Sequence, residues 1–411
     1  MAQQGTGADR GRQRRISLAL FAAGVATFAL LYSTQALLPE LGADFSVSPA
    51  QATLSLSMPT MGLGVALLVA GSVSEVRGRT PLIHFSLTVS ALVGVACAFA
   101  PGWHALLALR LAQGVTLAGL PAVATAYLRE ELPRGVHARA AGLYIGGTAL
   151  GGMTGRLVTG LVADAAGWRW ALGTIAVVGL ACAVVVRLVL PPSRGFVPAP
   201  AHVPHLVAMT RRAATEPGLL ALYAIGACSM GAFVAVYNAL AFRLTSSPFG
   251  LGIGAAGLVF LVYPLGTLGS TVAGRLADRF GQRAVEPAAC LVTALGIVLT
   301  VPTSLPLVVL GVAVMTAGFF AVHGVASGWV PARAHAGGIA SGQAASLYLF
   351  AYYLGSSVFG VLAGRAWTAG AWPLVVLLSL ALVALAALLS AWLRRTPALT
   401  AGDDRPLCPP G

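Results

Sequence analysis

The chain has 411 residues, of which 57% are hydrophobic and only 9% carry a charged side chain. So few charges cannot cover the surface of a soluble domain of this size, and apolar runs of about 20 residues recur along the whole length, enough to cross a hydrocarbon core of about 30 Å. The composition therefore excludes a soluble globular protein. The long runs indicate a polytopic α-helical membrane protein, because a β-barrel would show short alternating segments.

The net charge of +13 comes from 25 basic residues, all of them arginine, which gather at the ends of the apolar runs. This distribution is typical of a topology signal and of contact with lipid headgroups. We therefore expect the lipid bilayer, and no nucleic acid, as a partner. The cysteines are scattered singly, which predicts buried thiols with no disulfide framework and no metal site. They are Cys97, Cys182, Cys228, Cys290 and Cys408.

In chain order, the apolar runs predict twelve membrane-spanning helices. The first follows Arg14 and Arg15 and lacks a clear cleavage site, so we interpret it as an uncleaved first helix and not as a twin-arginine export signal. The predicted spans are 16–38, 52–74, 81–100, 104–128, 139–163, 169–190, 219–242, 252–276, 284–302, 305–330, 339–363 and 373–393.

The longest internal gap is rich in proline, arginine and histidine and divides the spans into six plus six. Arginine placement sets the orientation, because with the N-terminus inside twenty arginines are cytoplasmic and only Arg169, Arg243 and Arg365 are outside. Both termini are therefore expected in the cytoplasm. The predicted units are an N-terminal bundle with a short tail over 1–190, a cytoplasmic linker over 191–218, a C-terminal bundle over 219–395 and a cytoplasmic tail over 396–411.

Two segments on the predicted cytoplasmic side match at a constant offset of 203 residues. Each has a glycine, an acidic residue four positions later and a second glycine three positions after that. Gln35 and Asn238 also differ by 203, in similar surroundings, which predicts two halves of common descent. The matched loop residues are Gly71, Glu75, Gly78 and Arg79 in the first copy and Gly274, Asp278, Arg279 and Gly281 in the second.

The sequence contains no GxxxxGK[ST] phosphate loop and no Ser/His/Asp grouping, paired catalytic carboxylates or HExxH motif. An ATP-driven pump in one chain is therefore unexpected, and we predict a protein that is not an enzyme and that has no catalytic residues, no cofactor and no metal site.

Two arginines, Arg110 and Arg156, fall inside predicted spans, where a charged side chain costs about 2.5–3.5 kcal/mol on insertion scales. Each is either a cavity cation that binds an anionic group or responds to a coupling proton, or a structural residue that snorkels or acts as a hydrogen-bond hub. Gln113, one turn after Arg110, can help to orient that guanidinium.

Other polar and aromatic side chains interrupt the spans and could together line a mixed cavity, although each alone is more often a satisfied core residue. Tyr144 and Tyr348 have an interfacial position as a further alternative. The substrate-cavity candidates are Tyr32, Gln35, Arg110, Gln113, Tyr144, Arg156, Asn238, His323, Gln343, Tyr348 and Tyr352.

All twelve acidic residues fall in predicted loops, tails or helix ends, so no carboxylate is expected in the middle of a span. Glu40 and Asp44 follow the first span and are the acids expected nearest to a cavity. His323 is the main titratable group within a span. These three are the proton-coupling candidates.

These motifs resemble the major facilitator superfamily, specifically its bacterial drug:proton antiporter branch and, within it, the YnfM type of inner-membrane transporter. The family's Arg-x-x-Gln-Gly motif matches Arg110, Gln113 and Gly114, and the loop motif matches both copies described above. The family's antiporter motif matches in its first glycines, but Gly152 stands where a proline is expected and Arg156 where a later glycine is expected.

The resemblance implies an all-α membrane protein of two pseudo-symmetric six-helix bundles around a central cavity, working by alternating access. It also implies a monomer in the inner membrane, with a small-molecule substrate and protons as partners. The two loop motifs would form a cytoplasmic gate that stabilises the outward-open state. Because Glu75 stands where the second copy has Asp278, and Gln282 where the first has Arg79, we expect the two halves of this gate to differ.

Three functions remain open from the sequence. The first is a proton-coupled secondary exporter of small, partly hydrophobic compounds. The second is an importer or facilitator of a small anionic metabolite, which the arginines within the spans favour. The third is a membrane sensor that transports nothing, for which the short tails and the linker offer little partner surface.

Overall fold

The computed structural model describes residues 7–196, 203–397 and 399. Over these residues the chain is α-helical, with two short 3₁₀ turns. Parts of the predicted linker and of the C-terminal tail, together with Cys408, lie outside the described residues.

Six crossings form the N-terminal bundle. Short helices continue or precede three of the long ones, so that α2 follows α1, α3 precedes α4 and α7 follows α6. The helices are α1 (Gly7–Tyr32), α2 (Leu38–Asp44), α3 (Pro49–Ala52), α4 (Leu54–Arg77), α5 (Arg79–Ala98), α6 (Trp103–Leu117), α7 (Gly119–Glu131), α8 (His137–Ala166) and α9 (Trp168–Val189).

The linker contains a helix of its own, α10 (Val203–Thr215), and six further crossings form the C-terminal bundle. A 3₁₀ turn joins α12 to α13, and the last helix bends sharply where Gly370 and Ala371 leave helical geometry. The helices are α11 (Pro217–Thr245), α12 (Ile253–Gly257), α13 (Pro264–Phe280), α14 (Gln282–Leu299), α15 (Leu305–Ala336) and α16 (Ser341–Arg395).

Ten helical stretches of the described chain are long and apolar enough to cross a membrane. The last of these is α16, whose 55 residues contain two crossings on either side of the bend. With the 30-residue helix α8, the number of crossings is twelve. The predicted all-α fold of two six-helix bundles is therefore confirmed.

The two loop motifs have the same backbone. Gly78 lies between α4 and α5 with φ of +95°, and Gly281 lies between α13 and α14 with φ of +81°. A left-handed φ is costly for residues with a Cβ, so glycine is required at both turns. The repeat seen in the sequence is thus a repeat of the helix–turn–helix geometry.

The predicted first span is not one continuous helix, because the chain breaks between α1 and α2. The guanidinium of Arg110 donates from Nη1 to the carbonyl oxygen of Leu30 (2.9 Å) and from Nη2 to that of Leu31 (2.7 Å). The last carbonyls of a helix lack partners within the helix and carry partial negative charge. A buried cation at this position makes the break stable within the bundle.

The two bundles contact each other toward one end. The Thr60 and Ser357 hydroxyls lie 2.8 Å apart across the boundary, and Gly364 of α16 packs directly on the backbone of Ala50. Helix α12 also packs on α8, and α11 on α2. We call this end, which carries α2 and α12, the sealed end.

The opposite end, which carries Gly78 and Gly281, is open. We call it the loop-motif end. A Cβ added at Gly142, Gly146 or Gly342 would meet nothing within 4 Å. Among the described residues no hydrogen bond or ion pair joins the two bundles there. The central space therefore opens toward the loop-motif end.

In each bundle an ion pair joins the ends of two helices. The acid of one pair stands where the other pair has its base. Arg12 pairs with Glu131 in the N-terminal bundle, and Glu216 pairs with Arg333 (2.8 Å) in the C-terminal bundle. Corresponding positions differ by 204 and 202 residues, within one residue of the repeat offset. The repeat therefore preserves the position of the pair while it exchanges acid and base.

We predict that Glu216→Gln lowers the unfolding temperature of the purified protein by a few degrees at neutral pH. The Glu216 carboxylate accepts hydrogen bonds from the backbone N–H groups of Gly218 and Leu219 at the start of α11 as well as from Arg333. Caps of this kind contribute about 0.5–2 kcal/mol. An unchanged unfolding temperature would contradict the prediction, and Glu75→Gln, at an exposed carboxylate, is the control.

The difference in unfolding temperature between wild type and Glu216→Gln should also depend on pH. Burial raises the pKa of Glu216, but the bonds from Arg333 and the two N–H groups outweigh it and bring the pKa below its usual 4.5. A lowered folded-state pKa stabilises the protein above the unfolded pKa and ceases to do so as pH falls through the folded value. The melting curves of wild type and variant should therefore converge below pH 4.5 in a thermal-shift series.

Candidate functional site

Five side chains meet where the two bundles join, at the inner limit of the open space. We call them the central cluster. Three come from the N-terminal bundle and two from the C-terminal bundle, and each is less than a tenth exposed. The central cluster consists of Tyr32, Gln35, Arg156, Asn238 and Tyr263.

Gln35 and Asn238 join the two bundles directly. Gln35 Nε2 donates to Asn238 Oδ1 over 2.7 Å, and both side chains are fully buried. Residues at equivalent positions of two halves related by a pseudo-two-fold axis meet where that axis passes between them. The two polar positions matched by sequence thus mark the axis of the molecule.

Arg156 of α8 lies on the other side of Gln35. Its Nε donates to Gln35 Oε1 over 2.5 Å, and its Nη1 donates to the carbonyl oxygen of Gly152 over 2.6 Å. The guanidinium carbon lies 3.9 Å from the ring centre of Tyr32 and 4.6 Å from that of Tyr263. Cation–π contacts from both bundles therefore hold this arginine without an acidic partner.

The side chain of Arg156 occupies space beside Gly152, where the family pattern has a proline. Gly152, where a proline is expected, faces the guanidinium, since a Cβ there would lie 3.2 Å from Arg156 Nη1. Three other glycines of the helix, Gly147, Gly151 and Gly155, pack on the backbone of α1. The glycine series therefore serves close packing, and Gly152 serves the site.

Two donors of the central cluster have no acceptor. Arg156 Nη2 and Asn238 Nδ2 are buried and make no hydrogen bond to any described residue. Buried donors are nearly always paired with protein, water or a ligand. Because one of the two donors is cationic, the arrangement can receive a carboxylate or another oxygen acceptor.

Aromatic side chains of the C-terminal bundle continue from the cluster into the open space. Phe319 stacks on His323 with ring centres 6.2 Å apart, and His323 lies 4.6 Å from Tyr352. His323 Nδ1 is 3.0 Å from the hydroxyl of Tyr348, which is buried. The predicted candidates Tyr348, Tyr352 and His323 thus form one group on α15 and α16.

Arg110 and Gln113 do not join the central cluster. All three guanidinium nitrogens of Arg110 have acceptors, which include the α1 carbonyls, the Ser55 carbonyl (2.9 Å) and Gln113 Oε1 (2.5 Å). Gln113 in turn donates to the carbonyl oxygen of Ser90. Of the two interpretations that the sequence left open, these contacts favour the structural hub.

The remaining cavity candidates, Tyr144 and Gln343, lie in the half of the molecule toward the loop-motif end. Tyr144 is buried in α8 beside α1, and Gln343 is partly exposed near the start of α16. Neither side chain makes a hydrogen bond to another described residue, and neither contacts the central cluster.

The acidic candidates Glu40 and Asp44 lie at the sealed end, against the start of α9. Glu40 accepts from the backbone N–H of Trp168 (3.0 Å), and Asp44 accepts from the indole N–H of the same residue (2.8 Å). Burial raises the pKa of Glu40, as do the nearby Asp44 and Asp164, against the opposing hydrogen bond from Trp168. Their position is that of side chains that anchor α9.

The acids of the two loop motifs, Glu75 and Asp278, are exposed and form no ion pair with a described residue. Arg79 instead pairs with Glu130 (3.0 Å), within its own bundle. Gly71 and Gly274 face open space. Arg279 is exposed, and its guanidinium lies 5.1 Å from the ring centre of Phe280. The motif residues of the two bundles are therefore separated in this conformation.

One buried acid was not anticipated. Glu286 lies in the second turn of α14, near the start of the helix as the sequence indicates, but its side chain is completely buried. The sequence did not predict this burial. An acid followed by Pro287 in an otherwise apolar run was the available signal. In the described chain no group of His, Cys, Asp and Glu side chains could hold a metal ion.

We predict that Arg110→Lys destabilises the protein strongly, by lowering both the yield of folded protein and its unfolding temperature. An ammonium cannot reach the separate acceptors that the planar guanidinium bonds, so buried carbonyls at the end of α1 lose their donors. Arg365→Lys, at an exposed position, is the matched control. Normal stability with loss of ligand binding alone would contradict the assignment as a hub.

Comparison with known proteins agrees with this architecture. The family model "Major Facilitator Superfamily" matches residues 16–342. The chain is 40% identical to the uncharacterized MFS-type transporter YybF of Bacillus subtilis over 93% of this chain and 94% of that protein. It is 39% identical to the inner membrane transport protein YnfM of Escherichia coli, over 87% and 85% respectively.

Among solved structures, a bacterial homologue of the human lysosomal transporter Spinster, in an inward-facing and occupied conformation, superimposes with a TM-score of 0.75. It is 16% identical and covers 94% of this chain and 97% of its own, which supports the fold. The family matches and the fold confirm the resemblance seen in the motifs, and the chain belongs to the major facilitator superfamily of membrane transporters.

Proposed function

We propose that the protein is a secondary transporter that exports small, partly hydrophobic compounds in exchange for protons by alternating access. The observation that carries the proposal is the central cluster, where a buried arginine with a free N–H group lies between aromatic rings of both bundles. A site made by both bundles changes its exposure when they rock against each other.

The chemistry of the site favours a particular kind of substrate. The Tyr32 and Tyr263 rings and the aromatic group around Tyr352 supply apolar contact area. The unpaired Nη2 of Arg156 supplies a place for one acceptor group. We therefore propose compounds with an aromatic or aliphatic body and a single carboxylate or similar oxygen group.

Arginine counting supports the cytoplasmic placement of the loop-motif end, since that end carries most of the arginines. With this orientation the conformation described above is open to the cytoplasm and closed to the outside. A compound could then enter from the cytoplasm, which is the first step of an export cycle.

The unpaired Arg156 also favours a second function, import or facilitated passage of a small anionic metabolite. No acidic side chain of the described chain pairs with this cation, so an anion would supply the missing charge. Both functions use the same site and differ in direction and coupling, which flux into inverted vesicles with and without an imposed proton gradient would distinguish.

We predict that Arg156→Gln weakens the binding of aromatic carboxylates by about 10- to 100-fold. A hydrogen bond to a charged group contributes about 1.5–3 kcal/mol, and each 1.4 kcal/mol is a factor of ten. The measurement is thermal stabilisation of the purified protein by a panel of aromatic carboxylates and their carboxamide counterparts, followed by flux of any compound that stabilises it.

The control for this change is Arg365→Gln, which removes a charge at an exposed position. Carboxylates should lose more affinity than carboxamides in the Arg156 variant. Equal binding of the carboxylates by wild type and Arg156→Gln would show that the cluster is not the anion site.

We predict that Asp278→Asn slows transport several-fold without a change in the amount or the unfolding temperature of the protein. The carboxylate is exposed and unpaired here, so its removal costs this conformation little. A contact across the cytoplasmic gate would form only after the loop-motif end closes. Initial flux rates in proteoliposomes measure the effect, and unchanged flux at normal abundance would refute the gate contact.

A further inference from the structure

A buried acidic side chain lies in the C-terminal bundle, away from the central cluster. Glu286 belongs to the second turn of α14, has no exposed surface, and neither of its carboxyl oxygens has a hydrogen-bond partner among the described residues. Buried polar groups are nearly always paired, and ionisable groups in membrane spans are rare. This side chain therefore needs a physical explanation.

Among the described residues, no cation forms an ion pair with Glu286. Helix α14 packs against α13, α15 and α16. Of the described titratable groups, the Cys290 thiol on the same helix and the Tyr348 phenol on α16 interact electrostatically with the carboxyl, and Cys228 of α11 interacts with Cys290. The α13 residues that line the groove shared with α14 and α15 are apolar or glycine.

On α15, His323 contacts Tyr348. The His323 ring is partly exposed to the open space, and its Nδ1 lies 3.0 Å from the Tyr348 hydroxyl. The Tyr348 phenol therefore interacts electrostatically with the Glu286 carboxyl and lies beside the His323 ring.

The cost of burying a charge decides whether Glu286 is present as the carboxylate or as the neutral acid. An ionised carboxylate without an ion pair or hydrogen bonds in such surroundings is strongly disfavoured, whereas the neutral acid avoids most of that cost. A rearrangement of α14 against α16 that admits water or the Tyr348 hydroxyl would lower the cost of the anion. The site therefore couples proton binding to helix packing.

We propose that Glu286 is a proton-binding site of the C-terminal bundle, which holds a proton in the loop-motif-open conformation and releases it when the bundles rock. The O–H bond of the carboxyl breaks, its electron pair stays on the carboxylate, and the proton forms a new O–H bond on water. In the alternative relay, the Tyr348 hydroxyl takes this proton while its own O–H bond breaks and its proton forms an N–H bond on His323 Nδ1. The inference rests on the proposed proton-coupled transport and names the group that carries the proton.

The first test observes the proton directly. Infrared spectra of the purified, lipid-free protein at neutral pH should show the C=O band of a neutral carboxyl, which shifts in D₂O. Glu286→Gln, which keeps the shape of the neutral acid, should abolish the band, and Cys290→Ala, one turn away, should retain it. If wild type and Glu286→Gln give the same spectrum in this region, the carboxyl is ionised and the proposal fails.

The second test follows conformation and uses the proton as the only ligand. Labelling of Gly342→Cys by a membrane-impermeant maleimide reports opening of the loop-motif end, because residue 342 faces open space. After correction for thiolate ionisation with a short thiol peptide, the labelling rate should change with pH. In the Glu286→Gln background this dependence should disappear, and in the Cys290→Ala background it should remain.

Equal pH dependence in both backgrounds would overturn the proposal. If Glu286→Gln does not fold, Glu286→Asp replaces it and should shift the pH dependence, whereas an unshifted profile would count against the site. Neither measurement needs a transported compound, so a negative result for Glu286 does not contradict the proposed anion site at Arg156. Failure of the Arg156 binding test would likewise leave the proton site standing.

Discussion

The carbonyl end of α1 needs hydrogen-bond donors inside the N-terminal bundle, and the Arg110 guanidinium supplies them. Without that cation the Leu31 carbonyl would lose this donor and the Leu30 carbonyl would keep only the Ser33 hydroxyl, and an unpaired buried carbonyl costs about 1–3 kcal/mol. The break in turn places Gln35 outside helical geometry, where its side chain bonds both Arg156 and Asn238. The contact between the bundles thus depends on Arg110, although Arg110 itself bonds only residues of the N-terminal bundle.

The two arginines show how the same side chain takes different roles according to its acceptors. Arg110 has an acceptor for every nitrogen, and Arg156 lacks one for Nη2. A fully bonded guanidinium holds helices together, whereas one with a free N–H and aromatic neighbours is ready to bind a further group. Gly152 makes the second case possible, because its missing side chain leaves room for the guanidinium and its carbonyl accepts one N–H.

The internal repeat governs the architecture more strictly than it governs the chemistry. Gly78 and Gly281 keep the same left-handed turn, and Gln35 meets its own counterpart Asn238. The ion pairs at the helix ends exchange acid for base, and the position equivalent to Glu286 in the first half is Ile83. Backbone geometry tolerates few residue types at a turn, whereas a charge can change place while the packing persists.

Length, hydropathy and spacing by themselves determined the twelve spans, the duplication and the family, because each depends on residues near one another in the chain or at a fixed offset. The candidate list also contained Tyr32, Gln35, Arg156 and Asn238. Only the tertiary structure decided that these four lie together, that Arg110 caps a broken helix, and that Glu286 is buried. These properties depend on which helix face meets which neighbour, and a hydropathy pattern that is apolar on nearly every side of a span does not contain that information.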